Sequence, residues 1–166
     1  MGPKKQKAKG KDDEEDTSTV DLLTIYKRLC RQNEIPHSKV IEKQINDKLE
    51  EDSHLQELLI DEKIGEESMI QFSKALKLTN KNLGYKHLQS IRVWEGNINN
   101  QGLRAFYTYI VETKNYNINI LEFINCGIEK LGCEFISRML NPTLSYNIKI
   151  LILDYNKIGN EGLMEL

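Results

Sequence analysis

Apolar residues in the second half of the chain recur in one fixed order. In LILDYNKIGNEG, residues 151 to 162, Leu151 and Leu153 alternate as in a strand, Asn156 follows, then Ile158, and Gly162 opens a helical pattern. With Ile148 added, the order is apolar, apolar, apolar, Asn or Cys, apolar, Gly. Thirty residues upstream, Ile118, Leu121, Phe123, Cys126, Ile128 and Gly132 repeat every position. Thirty before that stand Leu88, Ile91, Val93, Gly96, Ile98 and Gly102, with glycine in the Asn place. A shortened first copy holds Leu55, Leu58, Ile60, Ile64 and Ser68. Each copy predicts a short strand followed by a helix, whose inner stripe is Leu103, Phe106 and Ile110 in one case and Phe135, Ile136 and Leu140 in the next.

The first third follows a different period. Val20, Leu23, Tyr26, Leu29 and Cys30 predict a helix over about 20–32, with Thr19 or Asp21 as its cap. Ser38 is placed to cap a second helix with the stripe Val40, Ile41, Ile45 and Leu49. Two short amphipathic helices have no core of their own, so they must lay those stripes on the array that follows. Ahead of them, MGPKKQKAKGKDDEED places five lysines before five acids with almost nothing apolar, the composition of a disordered, solubilising tail. A sharper reading has its lysines touching an acidic surface such as the tails of tubulin. Three parts result: 1–18 a tail, 19–53 a helical cap, and 54–166 about four repeats, the last incomplete. The template asks for about two more helical turns after Leu166. The chain therefore reads as the N-terminal part of a longer array, with a partner-supplied cap as the other reading.

The repeated residue types have physical reasons. An Asn or Cys where the chain leaves the strand can satisfy backbone groups that have no sheet partner there, which makes Asn156 and Cys126 structural. Gly102, Gly132 and Gly162 are expected to permit a tight turn into each helix. Cys126 and Cys133 read as small buried residues of the repeat.

Composition then narrows the function classes. A net charge of −2 from 23 basic and 25 acidic residues gives no polyanion-binding surface, so nucleic acid is not an expected partner. No apolar run is long enough for a membrane span, and the lysine-rich start has no signal-peptide core, which together suggest a cytoplasmic protein. Cys30, Cys126 and Cys133 are an odd count without a CxxC, as suits a reducing compartment. His37, His54 and His87 stand apart in sequence with no recognised ligand spacing, so no metal is expected. Nor is there a GxxxxGK[ST], HExxH or GxSxG motif, so no enzyme and no cofactor is expected. Asp61, Glu122 and Asp154 can approach one another on adjacent strands, where carboxylates more often contact partners than form an acid/base pair.

The repeated order is that of a leucine-rich repeat, and its helical half and thirty-residue period resemble the ribonuclease-inhibitor-like class. That resemblance implies an α/β solenoid: a short horseshoe arc with parallel strands on the concave face, helices on the convex face and a helical cap at the N-terminus. The lysine-rich start and the helix pair around YKRLCRQNEIPHSKVIEKQI, joined to such repeats, resemble leucine-rich repeat proteins of cilia and flagella. The resemblance implies a non-enzymatic scaffold of the ciliary axoneme within a large assembly, docked on axonemal proteins or tubulin. The repeat class also includes activators of the Ran GTPase and cytosolic inhibitors or adaptors that use the concave face; no residue here is matched to the GTPase-activating role.

In that architecture every second strand residue points out of the concave side. Those positions are Glu57, Leu59 and Asp61; Ser90, Arg92 and Trp94; Ile120, Glu122 and Ile124; and Ile150, Ile152 and Asp154. Trp94, Ile120, Ile124, Ile150 and Ile152 would form an apolar patch edged by Leu59, Asp61, Arg92, Glu122 and Asp154, the expected partner-binding surface. Trp94 beside Arg92 has the composition of an interface anchor. A one-residue slip in register would instead bury Trp94 in the core.

Overall fold

The computed structural model describes residues 16–141 and 147–166, so the tail expected from the first residues lies almost wholly outside it. The described chain is mixed α/β, with six helices and one four-stranded parallel sheet. Helices α1 (Ser18–Gln32) and α2 (Lys39–Glu50) come first. Four strand–helix units follow: β1 (Glu57–Ile60) with α3 (Glu66–Leu78), β2 (Ser90–Trp94) with α4 (Asn99–Thr113), β3 (Ile120–Ile124) with α5 (Lys130–Leu140), and β4 (Ile150–Ile152) with α6 (Gly159–Glu165). The strands lie in sequence order, and their register pairs the repeat positions directly: Leu58 with Ile91, Ile91 with Leu121, Leu121 with Leu151.

One face of the sheet packs on the helices. Leu58, Ile60, Ile91, Val93, Leu121 and Phe123 are fully buried there, with Phe72, Phe106 and Ile136 arriving from α3, α4 and α5. Their counterparts in the last unit, Leu151 and Leu153, are only half-buried, because among the described residues no further unit packs beyond β4. Burying a large aliphatic or aromatic side chain stabilises a fold by about 1.5–3 kcal/mol, so each unit draws most of its stability from the neighbour that covers it.

The Asn position does the work its chemistry suggests. Asn156 Oδ1 accepts the N–H groups of Cys126 at 2.9 Å and Ile128 at 3.1 Å, while Nδ2 donates to the carbonyls of Phe123 at 2.6 Å and Leu153 at 2.9 Å. One amide thus closes backbone groups of two successive units. One unit earlier, Cys126 Sγ donates to Val93 O at 3.3 Å. Burial, opposed by the Gly96 N–H, pushes that thiol up to about 12, so it stays protonated and serves as a donor. All three cysteines are free and buried.

The glycines have a different role from the expected one. Gly102, Gly132 and Gly162 lie inside α4, α5 and α6, and none has the left-handed backbone that demands glycine. A Cβ on Gly132 would meet Ile128 Cγ2 at 2.6 Å, Asn100 Oδ1 at 2.7 Å and Leu103 Cδ2 at 3.3 Å. On Gly162 it would meet Ile158 Cγ2 at 2.7 Å and Cys133 Sγ at 3.1 Å. These glycines therefore let each helix lie close against the one before it. In the shortened first unit Ser68 takes the place, and its hydroxyl pairs with Tyr26 of α1 at 2.9 Å.

The N-terminal helices close the sheet's first edge. Gln44 of α2 behaves like a piece of strand: its Oε1 accepts Leu59 N–H at 3.0 Å and its Nε2 donates to Leu59 O at 2.5 Å. The Leu59 N–H and C=O, which the open edge would leave bare, are thereby paired. Ser38 caps α2 as expected, accepting Ile41 N–H at 3.1 Å. Helix α1 differs from expectation. It starts at Ser18; Thr19, a candidate cap, is inside the helix and buried, and Val20 is 49% exposed while Leu22 takes its place in the stripe. The Thr19 hydroxyl lies 3.2 Å from the Tyr85 hydroxyl, a contact that turns the first helical turn inward on its polar side and leaves Val20 facing out. Between the two helices, Glu42 is held by Lys27, Lys39 and His37, which pull its carboxyl from 4.5 down to about 2.

Three substitutions test these packing and charge arrangements. Gly132→Ala lowers stability by about 1–3 kcal/mol despite alanine's better helix propensity, as overpacking does. Gly65→Ser, where nothing lies within 4 Å of an added Cβ and the hydroxyl can cap α3, changes it by less than about 0.5 kcal/mol or raises it. Urea unfolding of both variants reads the contrast. A carboxyl whose folded pKa is depressed contributes stability above its ordinary value and loses that contribution as pH falls through the folded one. The gap between wild type and Glu42→Gln in urea midpoint is therefore full at pH 6 and narrows as pH drops from 4.5 toward about 2.

Candidate functional site

The sheet's second face carries the alternate strand residues. Register aligns them in rows: Glu57, Ser90, Ile120 and Ile150; then Leu59, Arg92, Glu122 and Ile152; then Trp94 beside Ile124. Trp94 is 38% exposed and Ile150 46% exposed, while Leu59, Ile120, Ile124 and Ile152 are half-buried. Trp94 and Ile124 thus point away from the helices, as the preferred register requires. All-parallel sheets are normally covered on both faces. Among the described residues one face is left without a helical layer, and isoleucines with a tryptophan lie along it.

Glu122 organises the polar part of this face. It is only 9% exposed, accepts the Trp94 indole N–H at 2.6 Å, and lies 3.4 Å from Arg92 Nε. Arg92 reaches Glu57 on the other side at 3.4 Å. A chain of alternating charge, Glu57–Arg92–Glu122, ends on an indole whose ring plane is thereby fixed. Ile120 and Ile124 flank Glu122 on β3, so two apolar clusters, Ile120–Ile150–Ile152 and Trp94–Ile124, border one line of paired charges that keeps a net negative charge. Ser90 departs from its neighbours: it is 1% exposed, and among the described residues its hydroxyl has no hydrogen-bond partner.

Two expected face residues are not strand residues. Asp61 lies one position past β1, and Asp154 two past β4, both exposed. The backbone has already turned there, with Asp154 O accepting Asn125 N–H at 2.9 Å and the Asn156 amide at 3.2 Å. The approach of Asp61, Glu122 and Asp154 does not form. By strand spacing the outer two are about 14 Å apart, and Glu122 lies in another row with its carboxylate occupied.

Two residue pairs are not evident from the sequence, Glu122–Trp94 on the open face and His54–His87 ahead of the strands. The Glu122–Trp94 bond joins outward positions of adjacent copies, and register alignment of the repeats contains it. His54 and His87 each precede the first apolar repeat position, Leu55 and Leu88, and each stands three residues before its strand. Parallel pairing therefore sets them side by side, with Asp16 beside both. Isolation in sequence was a poor guide to isolation in space. Elsewhere, His37 is bound to Glu42 at 2.9 Å.

Among the described residues no helix is long and apolar enough to cross a membrane. Compared with protein-family models and with curated proteins, the chain matches none of either.

Replacing Glu122 by alanine removes the indole's acceptor and one partner of Arg92 on a face that water reaches. The expected loss is about 1–2 kcal/mol, accompanied by a red shift of the emission of Trp94, the single tryptophan. Fluorescence-detected urea unfolding measures both.

Proposed function

We propose that this chain is a non-enzymatic leucine-rich repeat protein of the ribonuclease-inhibitor-like class, whose open strand face docks another protein. Strands in a sheet lie about 4.8 Å apart, whereas packed helices need about 8–10 Å. A stack of strand–helix units must therefore bend with its strands inside, and Trp94, Ile120, Ile124, Ile150 and Ile152 would line the hollow. The observation that carries this reading is the apolar face of a parallel sheet that no described helix covers, crossed by a line of charges that pair within the chain. Partly exposed tryptophan held rigid by its own hydrogen bond loses little freedom on binding, which is what an interface anchor requires.

The partner class follows from the sequence resemblance to axonemal leucine-rich repeat proteins: a structural component of the cilium, docked on axonemal proteins or tubulin as part of a large assembly. It needs neither cofactor nor nucleic acid. The test is localisation of a tagged full chain in a ciliated cell. The expected signal is a line along the axoneme, dispersed by Ile124→Glu, which places an unpaired charge in the centre of the patch while leaving the buried face untouched. A diffuse cytosolic signal for the unsubstituted chain overturns the axonemal placement, and stimulated hydrolysis by a Ran-type GTPase would assign the regulatory role instead. An Ile124→Glu protein that still localises overturns the use of this face.

A further inference from the structure

Away from the open face, three potential ligands from three separate segments meet at the junction of the cap and the first two units. Asp16 precedes α1, His54 lies between α2 and β1, and His87 lies between α3 and β2. The β1–β2 register brings the two imidazoles face to face, with ring centroids 3.7 Å apart and planes within 8°. Both Nε2 atoms turn toward one carboxylate oxygen: Asp16 Oδ2 is 2.9 Å from His87 Nε2 and 3.6 Å from His54 Nε2. One donor atom from each residue lies within 4.8 Å of the other two.

We propose that Asp16, His54 and His87 bind a divalent transition-metal ion of the zinc type, tying the start of α1 to the first two units. Two imidazoles and a carboxylate are the donor set that borderline ions such as Zn²⁺ prefer over Mg²⁺ or Ca²⁺. Bonds of about 2.0–2.2 Å draw the three donors together, and the stacked rings splay so that their lone pairs converge. A water completes a tetrahedral sphere. The surroundings favour this use of the imidazoles. His54 Nδ1 lies 3.0 Å from Thr19 Oγ1, and donating its proton there leaves Nε2 as the basic nitrogen. Thr19 is buried and shares its hydroxyl with Tyr85, which in turn accepts Leu55 N–H at 2.7 Å, so the orienting group is fixed to the core. The Tyr85 ring meets His87 edge-on at 5.3 Å. The three ligand side chains remain 29–50% exposed, and a cleft of about 370 Å³ bordered by Asp16, Thr19, Asp52 and His54 gives an ion a way in.

The experiment uses the untagged full chain with Zn²⁺ and with Co²⁺ as the probes. Calorimetry is expected to give one ion per chain. Asp16→Asn, His54→Gln and His87→Gln each weaken binding by about tenfold or more, and His37→Gln leaves it unchanged. Co²⁺ is expected to give weak visible bands without thiolate charge-transfer absorption. In ¹⁵N imidazole spectra of the unsubstituted protein, Zn²⁺ moves the Nε2 resonances of His54 and His87 but not those of His37, a readout independent of how any variant folds. Absence of binding overturns the assignment, as do thiolate bands, affinity that survives both histidine substitutions, or a Zn²⁺ shift confined to His37.

Discussion

A strand–helix unit of about thirty residues leaves both flanks of its apolar wedge bare, and only an adjoining unit at the right register covers them. Everything else in the molecule follows from holding that register. The strands pair residue for residue across the repeat, the Asn156 amide and the Cys126 thiol lock backbone groups of one unit to the next, and glycines inside the helices let successive helices approach. A shift of one residue would turn Leu121 and Phe123 outward and bring Glu122 into the core. The energetic difference is several buried side chains per unit against an unpaired buried carboxylate, so no compromise arrangement competes.

The same register creates the candidate functional surface as a consequence of packing. Once Ile91, Val93, Leu121 and Phe123 are committed to the helices, the residues between them have to face the other way. What they are is then free to serve something besides folding. That three of four strands carry isoleucine or tryptophan there, where threonine would suit the sheet as well, supports the proposed docking role of this face. The Glu57–Arg92–Glu122 line is consistent with that use, since its charges are satisfied within the chain and leave the apolar positions as the exposed remainder.

Periodicity made the strands, the helices and the sides of the sheet legible, because side-chain direction in a strand is fixed by counting in twos and the repeat supplies the phase. It failed where the outcome depends on which atoms meet across units. Helix α1 has an apolar stripe wide enough to fit two rotations, and the Thr19–Tyr85 contact, 66 residues apart, selects the one that exposes Val20. The glycines look like turn residues in a string of letters, yet their purpose depends on Leu103 and Cys133 in the preceding helix. The histidine pair is carried by polar positions, His54 and His87, just ahead of the aligned Leu55 and Leu88, where the apolar repeat order gives no signal. Asp61 and Asp154 fall just past their strands, and alternation gives no signal for where the backbone begins to turn.

The side-by-side register is tested most directly by chemical cross-linking on the open face. With Ile120→Cys and Ile150→Cys, which the sheet pairs directly, a short bis-maleimide should join the two thiols within one chain, while the buried native cysteines stay unreactive. With Ile120→Cys and Leu151→Cys, whose side chains leave opposite faces, the same reagent should not. Cross-linking of the second pair and not the first would contradict the account.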